Sequence, residues 1–342
     1  MTSADDQPMF SPVREDWLAA RQEEALLPEL AIVDAHHHFS DRTAANYMLD
    51  ELLADLGSGH RVTATVFVEG RMVDFGGDEL TRGVAETGIA AALSELARVR
   101  GVPGVAAAIV GNVDLTLGAR VEEALHAHIA AAGGRFRGIR QIAPWDANPH
   151  LNTPDLVIDP ALLARADFRE GFARLAPLGL SFDAWVYYPQ YGALRSLAEA
   201  FAETSIILDF PVPLGVGGYR LDDAEAMRRW REAVASLARC PNIAIKLGGF
   251  GMGVCGFRFI DPAAPPSSAQ LAKAIRPWFA EALATFGTER CMIGSNFPVD
   301  KASFGYAVFW NACKRLLAEL CPDAIGDVLS TNARRIYAIT DR

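Results

Sequence analysis

This sequence is short of cysteine, of basic charge and of long apolar runs, and each shortage closes off a class of protein. Its five cysteines (Cys240, Cys255, Cys291, Cys313 and Cys321) are an odd number without C-x-x-C spacing. They offer no disulfide framework and read as reduced, mostly buried thiols of a cytoplasmic protein. Lysine and arginine number 32 against 42 aspartates and glutamates, a net charge of −10. No basic tract offsets it, which argues against nucleic acid or an anionic membrane as partner. The longest apolar runs, such as 105–110 and 205–208, are far below the roughly 20 residues of a membrane span. Residues 2–6 are acidic and polar where a secretion leader is basic and then apolar, so no signal peptide is expected.

What is present is a chain able to bury a large core: 51% of residues are hydrophobic, and mean hydropathy is +0.13. After a polar leader, with a helical patch near 17–26, strand-like runs end near His36, Glu69, Val110, Arg140, Tyr187, Asp209, Leu247 and Ser295. Between most of them lie segments of helical period, at 83–99, 118–132, 160–176, 193–201, 224–238, 268–286 and 302–320. Eight strands alternating with helices predict a parallel sheet closed as a single (β/α)8 TIM barrel, an α/β fold, over 29–342, with 1–28 as an N-terminal extension. An open doubly wound sheet is the competing fold. Against it, three histidines stand after the first strand where a dinucleotide fold carries G-x-G-x-x-G.

Those histidines, His36-His37-His38, are three of the chain's seven. Alternation along a strand sends His36 and His38 to one face and His37 to the other, with Asp34 one step deeper on the His36 face and placed to orient an imidazole. Two converging imidazoles can hold a divalent metal, or polarise a carbonyl and position water without one. The other strand ends add polar groups. Glu69 at the second is a candidate ligand or acid–base, with an ion pair to Arg71 as the plain alternative. Arg137 and Arg140 on the fourth strand have opposite parity, so only one is expected to reach the cavity, where its fork suits an anionic group. Asp183, Trp185 and Tyr187 share a face of the fifth. Lys246 on the seventh must find water, a carboxylate or substrate, and the glycines that follow it suggest a mobile loop over the mouth. Asn296, at the end of the eighth, can hydrogen-bond but cannot serve as a base. His126 and His128 repeat the His-x-His spacing inside a helical pattern, where residues two apart diverge.

Asp34-Ala35-His36-His37-His38, Phe67-Val68-Glu69, Arg135-Phe136-Arg137-Gly138-Ile139-Arg140, Phe182-Asp183-Ala184-Trp185 and Met292-Ile293-Gly294-Ser295-Asn296-Phe297-Pro298-Val299 occur in the order of the amidohydrolase superfamily. The chain resembles its lactonase branch, which includes 2-pyrone-4,6-dicarboxylate lactonase and sugar-lactone hydrolases, from about Pro28 to Ile339. The resemblance implies a barrel that opens a lactone or related cyclic ester of a small anionic or aromatic-derived substrate. His36 and His38 would polarise the carbonyl, or hold one zinc or manganese ion with Glu69; a metal-free site is the equal alternative. Arg137 or Arg140, with Lys246, would anchor an anionic substituent, and Trp185 and Tyr187 would line the ring. Two departures stand out. Phe210 occupies the position where the branch commonly has a histidine, and Asn296 that of an aspartate. Water activation would then fall to Asp300, Asp209 or Glu69, with Asn296 orienting water or the carbonyl. Two rival readings are a metal-dependent decarboxylase of aromatic acids and a repurposed, non-catalytic barrel that binds a small ligand. A small molecule is the expected partner, and a homodimer is left open as the assembly.

Overall fold

The computed structural model describes residues 11–42, 46–71, 80, 82–153 and 156–340. Its strands are β1 (Ala31–His37), β2 (Arg61–Val68), β3 (Ala108–Asn112), β4 (Phe136–Ile142), β5 (Ser181–Trp185), β6 (Ile206–Leu208), β7 (Ile243–Leu247) and β8 (Cys291–Ile293). Each pairs in parallel with the next, in the order β1 to β8. The eighth returns to the first just beyond its regular part. Asn296 N–H donates to His36 O at 2.8 Å, His38 N–H donates to Phe297 O at 2.8 Å, and Ser295 N–H donates to the Asp34 carboxylate at 2.8 Å. Gly294 permits that approach, since a Cβ there would lie 2.4 Å from the His36 Cβ. The result is the (β/α)8 barrel expected from the alternation.

Alternation along the strands makes two apolar layers. Val33, Ala35, Val66, Val68, Val110, Ile207, Ala244 and Met292 fill the interior. Ile32, Phe67, Ile109, Ile139, Phe182, Ile206, Ile245 and Ile293 face the helices. Those helices include α1 (Glu15–Ala19), α2 (Leu49–Leu56), α3 (Arg82–Val99), α4 (Val121–Ala131), α5 (Ala166–Phe172), α6 (Tyr191–Ala200), α7 (Ala224–Ala238), α8 (Ser268–Phe286), α9 (Tyr306–Leu320) and α10 (Asn332–Ile336). Among the described residues, no helix is long and apolar enough to cross a membrane. All five thiols are free, and four of them are buried.

The described segments near either end are tied to the barrel by side chains. The expected helical patch at 17–26 is helical only to Ala19. Further along, the backbone bonds to α9: Leu26 N–H donates to Asn311 Oδ1 at 2.7 Å, and Lys314 Nζ donates to Leu26 O and Leu27 O at 2.8 and 2.7 Å. At the other end, α10 and the residues around it close the floor of the barrel. Asn332 Nδ2 donates to Thr288 O and Cys291 O beside the start of β8, and Arg137 Nε, near the start of β4, donates to Tyr337 O. Ala333, Tyr337 and Ile339 join the interior apolar layer.

Candidate functional site

The parity argument from Asp34 fails at one place in β1. Asp34 pairs with Thr65 and His37 with Phe67, so β1 spends three residues where β2 spends two. This bulge shifts every later side chain by one face. Asp34 therefore turns outward to α9, where Tyr306 donates to it at 3.0 Å, and it also accepts the backbone N–H groups of Ser295 and His36. It fastens β1 to β8 and orients no imidazole; burial raises its pKa to about 6 despite these hydrogen bonds. His36 and His38, beyond the bulge, do point inward together. His37 points out, with Nε2 2.9 Å from Thr65 Oγ1.

Inside the barrel, residues from six strand ends meet. His36 Nε2 lies 3.2 Å from His38 Nε2, and His38 Nδ1 lies 2.7 Å from Val68 O. Lys246 Nζ is 2.6 Å from Asp183 Oδ2, 2.9 Å from Asp209 Oδ1 and 3.2 Å from His36 Nδ1. His36 Nδ1 is also 3.4 Å from Asp209 Oδ1. Arg140 donates through Nε to Glu69 Oε1 at 2.9 Å and through a terminal nitrogen to Glu69 O; its other terminal nitrogen is 4.0 Å from Asp209 Oδ2. From the floor, Tyr337 donates to Asp183 Oδ2 at 2.6 Å, and its ring lies 5.2 Å from Lys246 Nζ. All of these side chains are buried.

Burial sets the electrostatics. It pushes His36 and His38 well below the usual imidazole range, helped at His36 by Lys246 and Arg140 and at His38 by His36 and Arg140. Both rings are neutral at physiological pH. Burial also lifts the Asp183 carboxyl to about 6, against the pull of Lys246, and raises Asp209. Three carboxylates face two cations here, and Glu69 Oε2, Asp183 Oδ1 and both oxygens of Asp209 have no well-aligned hydrogen-bond donor. The cluster is rich in unmatched acceptors.

The side chains of Arg137, Asn296, Asp300 and Tyr187 bond to partners outside this cluster. Arg137, as its parity allowed, stays out of the cluster and holds the backbone carbonyls of Phe136, Tyr337 and Ala338. Asn296 Nδ2 donates to Asp300 Oδ1 at 2.8 Å, and Gly251 N–H donates to Asp300 Oδ2 at 2.9 Å, so Asp300 clamps the loop after β7 to the turn after β8. Burial raises its pKa to about 7. The Tyr187 hydroxyl donates to Leu151 O, and Trp185, largely buried at the end of β5, accepts Ala143 N–H at its carbonyl. The glycine loop after Lys246 is packed and largely buried, with Gly249 against Phe210 and Cys255 Sγ donating to Gly249 O. His128 bonds to Thr87 and Asn112 O and takes no part. Arg71, whose backbone carbonyl accepts from Arg42, is not the ion-pair partner of Glu69; Arg140 is.

The spacing of the two Nε2 atoms suits two ligands of one tetrahedral ion, which at 2.0–2.1 Å from each nitrogen would set them about 3.3 Å apart. The rest of the donor set does not follow. Among the described residues, no group of three or more His, Cys, Asp and Glu side chains is arranged to hold a metal. Where a third imidazole would stand, the Phe210 ring lies 4.8 Å from that of His36. The residues present do not make a complete metal site.

The family model described as Amidohydrolase matches residues 33–339. A protein of Sinorhizobium fredii (strain NBRC 101917 / NGR234), named uncharacterized protein y4mH, is 30% identical over 338 residues, covering 92% of this chain and 100% of its own. Among solved structures, an amidohydrolase from Burkholderia multivorans with bound HEPES superposes with a TM-score of 0.69 at 22% identity, covering 91% of this chain and 100% of that one. A second crystal form of that protein contains zinc. A Pseudomonas putida protein, provisionally named a 2-pyrone-4,6-dicarboxylic acid hydrolase, superposes with a TM-score of 0.60 at 17% identity, covering 92% and 99%.

Proposed function

Since this chain belongs to the amidohydrolase family, we propose that it is a hydrolase and that its substrate is a small lactone or related cyclic ester. The observation that carries the reading is the convergence of His36, His38, Glu69, Arg140, Asp183, Asp209 and Lys246 at one end of the barrel, where such folds hold their chemistry. The name given to the Pseudomonas putida neighbour supports the ester rather than the amide. Arg140 and Lys246 are already answered by carboxylates, so a neutral ring bearing hydroxyl donors suits the unmatched oxygens better than the anionic substrate expected from the sequence.

In this reading Asp209 is the base. It stands at the end of β6 with Oδ1 2.9 Å from Lys246 Nζ and Oδ2 without a hydrogen-bond donor, and burial favours its taking up a proton. It removes a proton from water as the water oxygen bonds to the carbonyl carbon. Once protonated, Asp209 no longer answers Lys246 and Arg140, and their charge meets that which collects on the carbonyl oxygen. As the ring C–O bond breaks, Asp209 returns the proton to the leaving alkoxide, which stays tethered to the product.

A panel of five- and six-membered lactones, assayed by acid release at constant pH, tests the reading. Wild-type protein should open at least one of them. Asp209→Asn should lower kcat by about 10²–10⁴-fold while melting as a folded protein. Turnover that survives in Asp209→Asn removes Asp209 as the base. A wild-type protein inert to every lactone, yet releasing CO2 from aromatic acids, replaces the hydrolase with the decarboxylase.

A further inference from the structure

We infer that the Lys246 ammonium is the resident cation of this site, and that it holds the His36–His38 pair in a tautomeric arrangement that cannot ligate a metal. The inference goes beyond the proposed ester chemistry and does not depend on it. It rests on which atoms can only donate and which can only accept. Val68 O can only accept, so His38 carries its proton on Nδ1 and presents a bare lone pair at Nε2. An ammonium can only donate, so His36 accepts from Lys246 at Nδ1 and carries its own proton on Nε2. That proton points at the His38 lone pair, 3.2 Å away. One directed chain results, from Lys246 Nζ through His36 and His38 to the Val68 carbonyl, and every ring nitrogen in it is used.

A metal would need both Nε2 lone pairs free. The His36 proton would have to move to Nδ1, 3.4 Å from Asp209 Oδ1 but also 3.2 Å from the ammonium, where two donors would face each other. The charge count opposes the ion as well. Asp183 and Asp209 sit 2.6 and 2.9 Å from Lys246 Nζ, the positions in which they would offset a dication. A dication beside a buried ammonium would meet repulsion that water cannot screen. Phe210, against the His36 ring, leaves no third imidazole to compensate. The lysine thus stands in for the ion in charge, and the histidine pair serves as a hydrogen-bonded unit.

Two measurements test this on untagged protein. Two-bond ¹H–¹⁵N spectra of the wild type should show His36 protonated at Nε2 and His38 at Nδ1, unchanged by added zinc. After dialysis against micromolar zinc, the wild type should hold well under one equivalent by mass spectrometry. Lys246→Met removes the ammonium but keeps the stem, leaving Asp209 free to accept from His36 Nδ1–H; zinc affinity should rise on the order of 100-fold, the scale on which outer partners of a ligand act. A wild type with bound zinc and His36 protonated at Nδ1 would overturn the inference, as would a folded Lys246→Met with no gain in zinc affinity. If that variant does not fold, the wild-type spectra and zinc content decide alone.

Discussion

At the end of β6 the Phe210 ring packs on His36 from one side and on the loop after β7 from the other. Gly249 has φ +72°, and a Cβ there would lie 2.5 Å from Phe210 Cδ2. The ring and the glycine are therefore one feature. Gly249→Ala should destabilise by about 1–2 kcal/mol for the left-handed backbone and by about 1–3 kcal/mol more for overpacking. In a Phe210→Leu background the overpacking against the ring should fall away, leaving the backbone share and the contact with Met252 Cε at 2.9 Å, so urea unfolding of the two singles and the double should give a favourable coupling. Strict additivity would show that the glycine is not there for the ring. Legibility at this scale follows distance along the chain. His36 and His38 are two residues apart and their spacing announces them. Asp34 misleads, because the bulge that reverses its face is set by pairing with β2 and leaves no mark in β1 itself. Tyr337, which donates to Asp183 across 154 positions, carries no local sign of its role.

At the scale of elements, sequence pattern serves long helices best. The segments expected at 224–238 and 268–286 are α7 and α8 to the residue, since 15 and 19 residues hold several turns of an amphipathic stripe. The 8-residue α2 and the 5-residue α10 are not legible in the sequence, because so few turns carry no dependable period. Yet α10 leads into the segment that seals the barrel floor and places Tyr337 beneath the charge cluster. Tyr337→Phe keeps the packing and deletes one hydrogen bond to a buried carboxylate. It should cost about 1.5–3 kcal/mol, the range for hydrogen bonds to charged groups, read from urea midpoints at pH 8. An unchanged midpoint would mean that Lys246 alone satisfies Asp183 and that the floor contributes packing only.

For the whole molecule, acid stability is set by two opposed sets of buried groups. Burial holds His37, His60 and His128 neutral, with pKa values lowered to about 4. Unfolded histidines titrate near 6.5, so the stability each provides is complete above that pH and is lost as pH falls toward 4. Asp34 and Asp183, raised to about 6, and Asp300, raised to about 7, act the other way: their share is present below about 4 and is lost as pH rises through 6 to 7. Between pH 4 and 6.5 the two sets oppose each other, so the wild type should show a shallow profile there. Removing one member tilts it. His128, fixed between Thr87 and Asn112 O and bonded to no side chain of the candidate site, is the cleanest choice. At pH 8 His128→Gln shows only its lost contacts. At pH 5 the wild type also bears the cost of keeping His128 neutral while its unfolded chain takes up a proton, and the variant does not. The stability deficit of His128→Gln should therefore shrink by about 2 kcal/mol from pH 8 to pH 5. A deficit equal at both pH values would show that His128 titrates alike in the folded and unfolded chain, and the neutral, buried histidine would have to be abandoned.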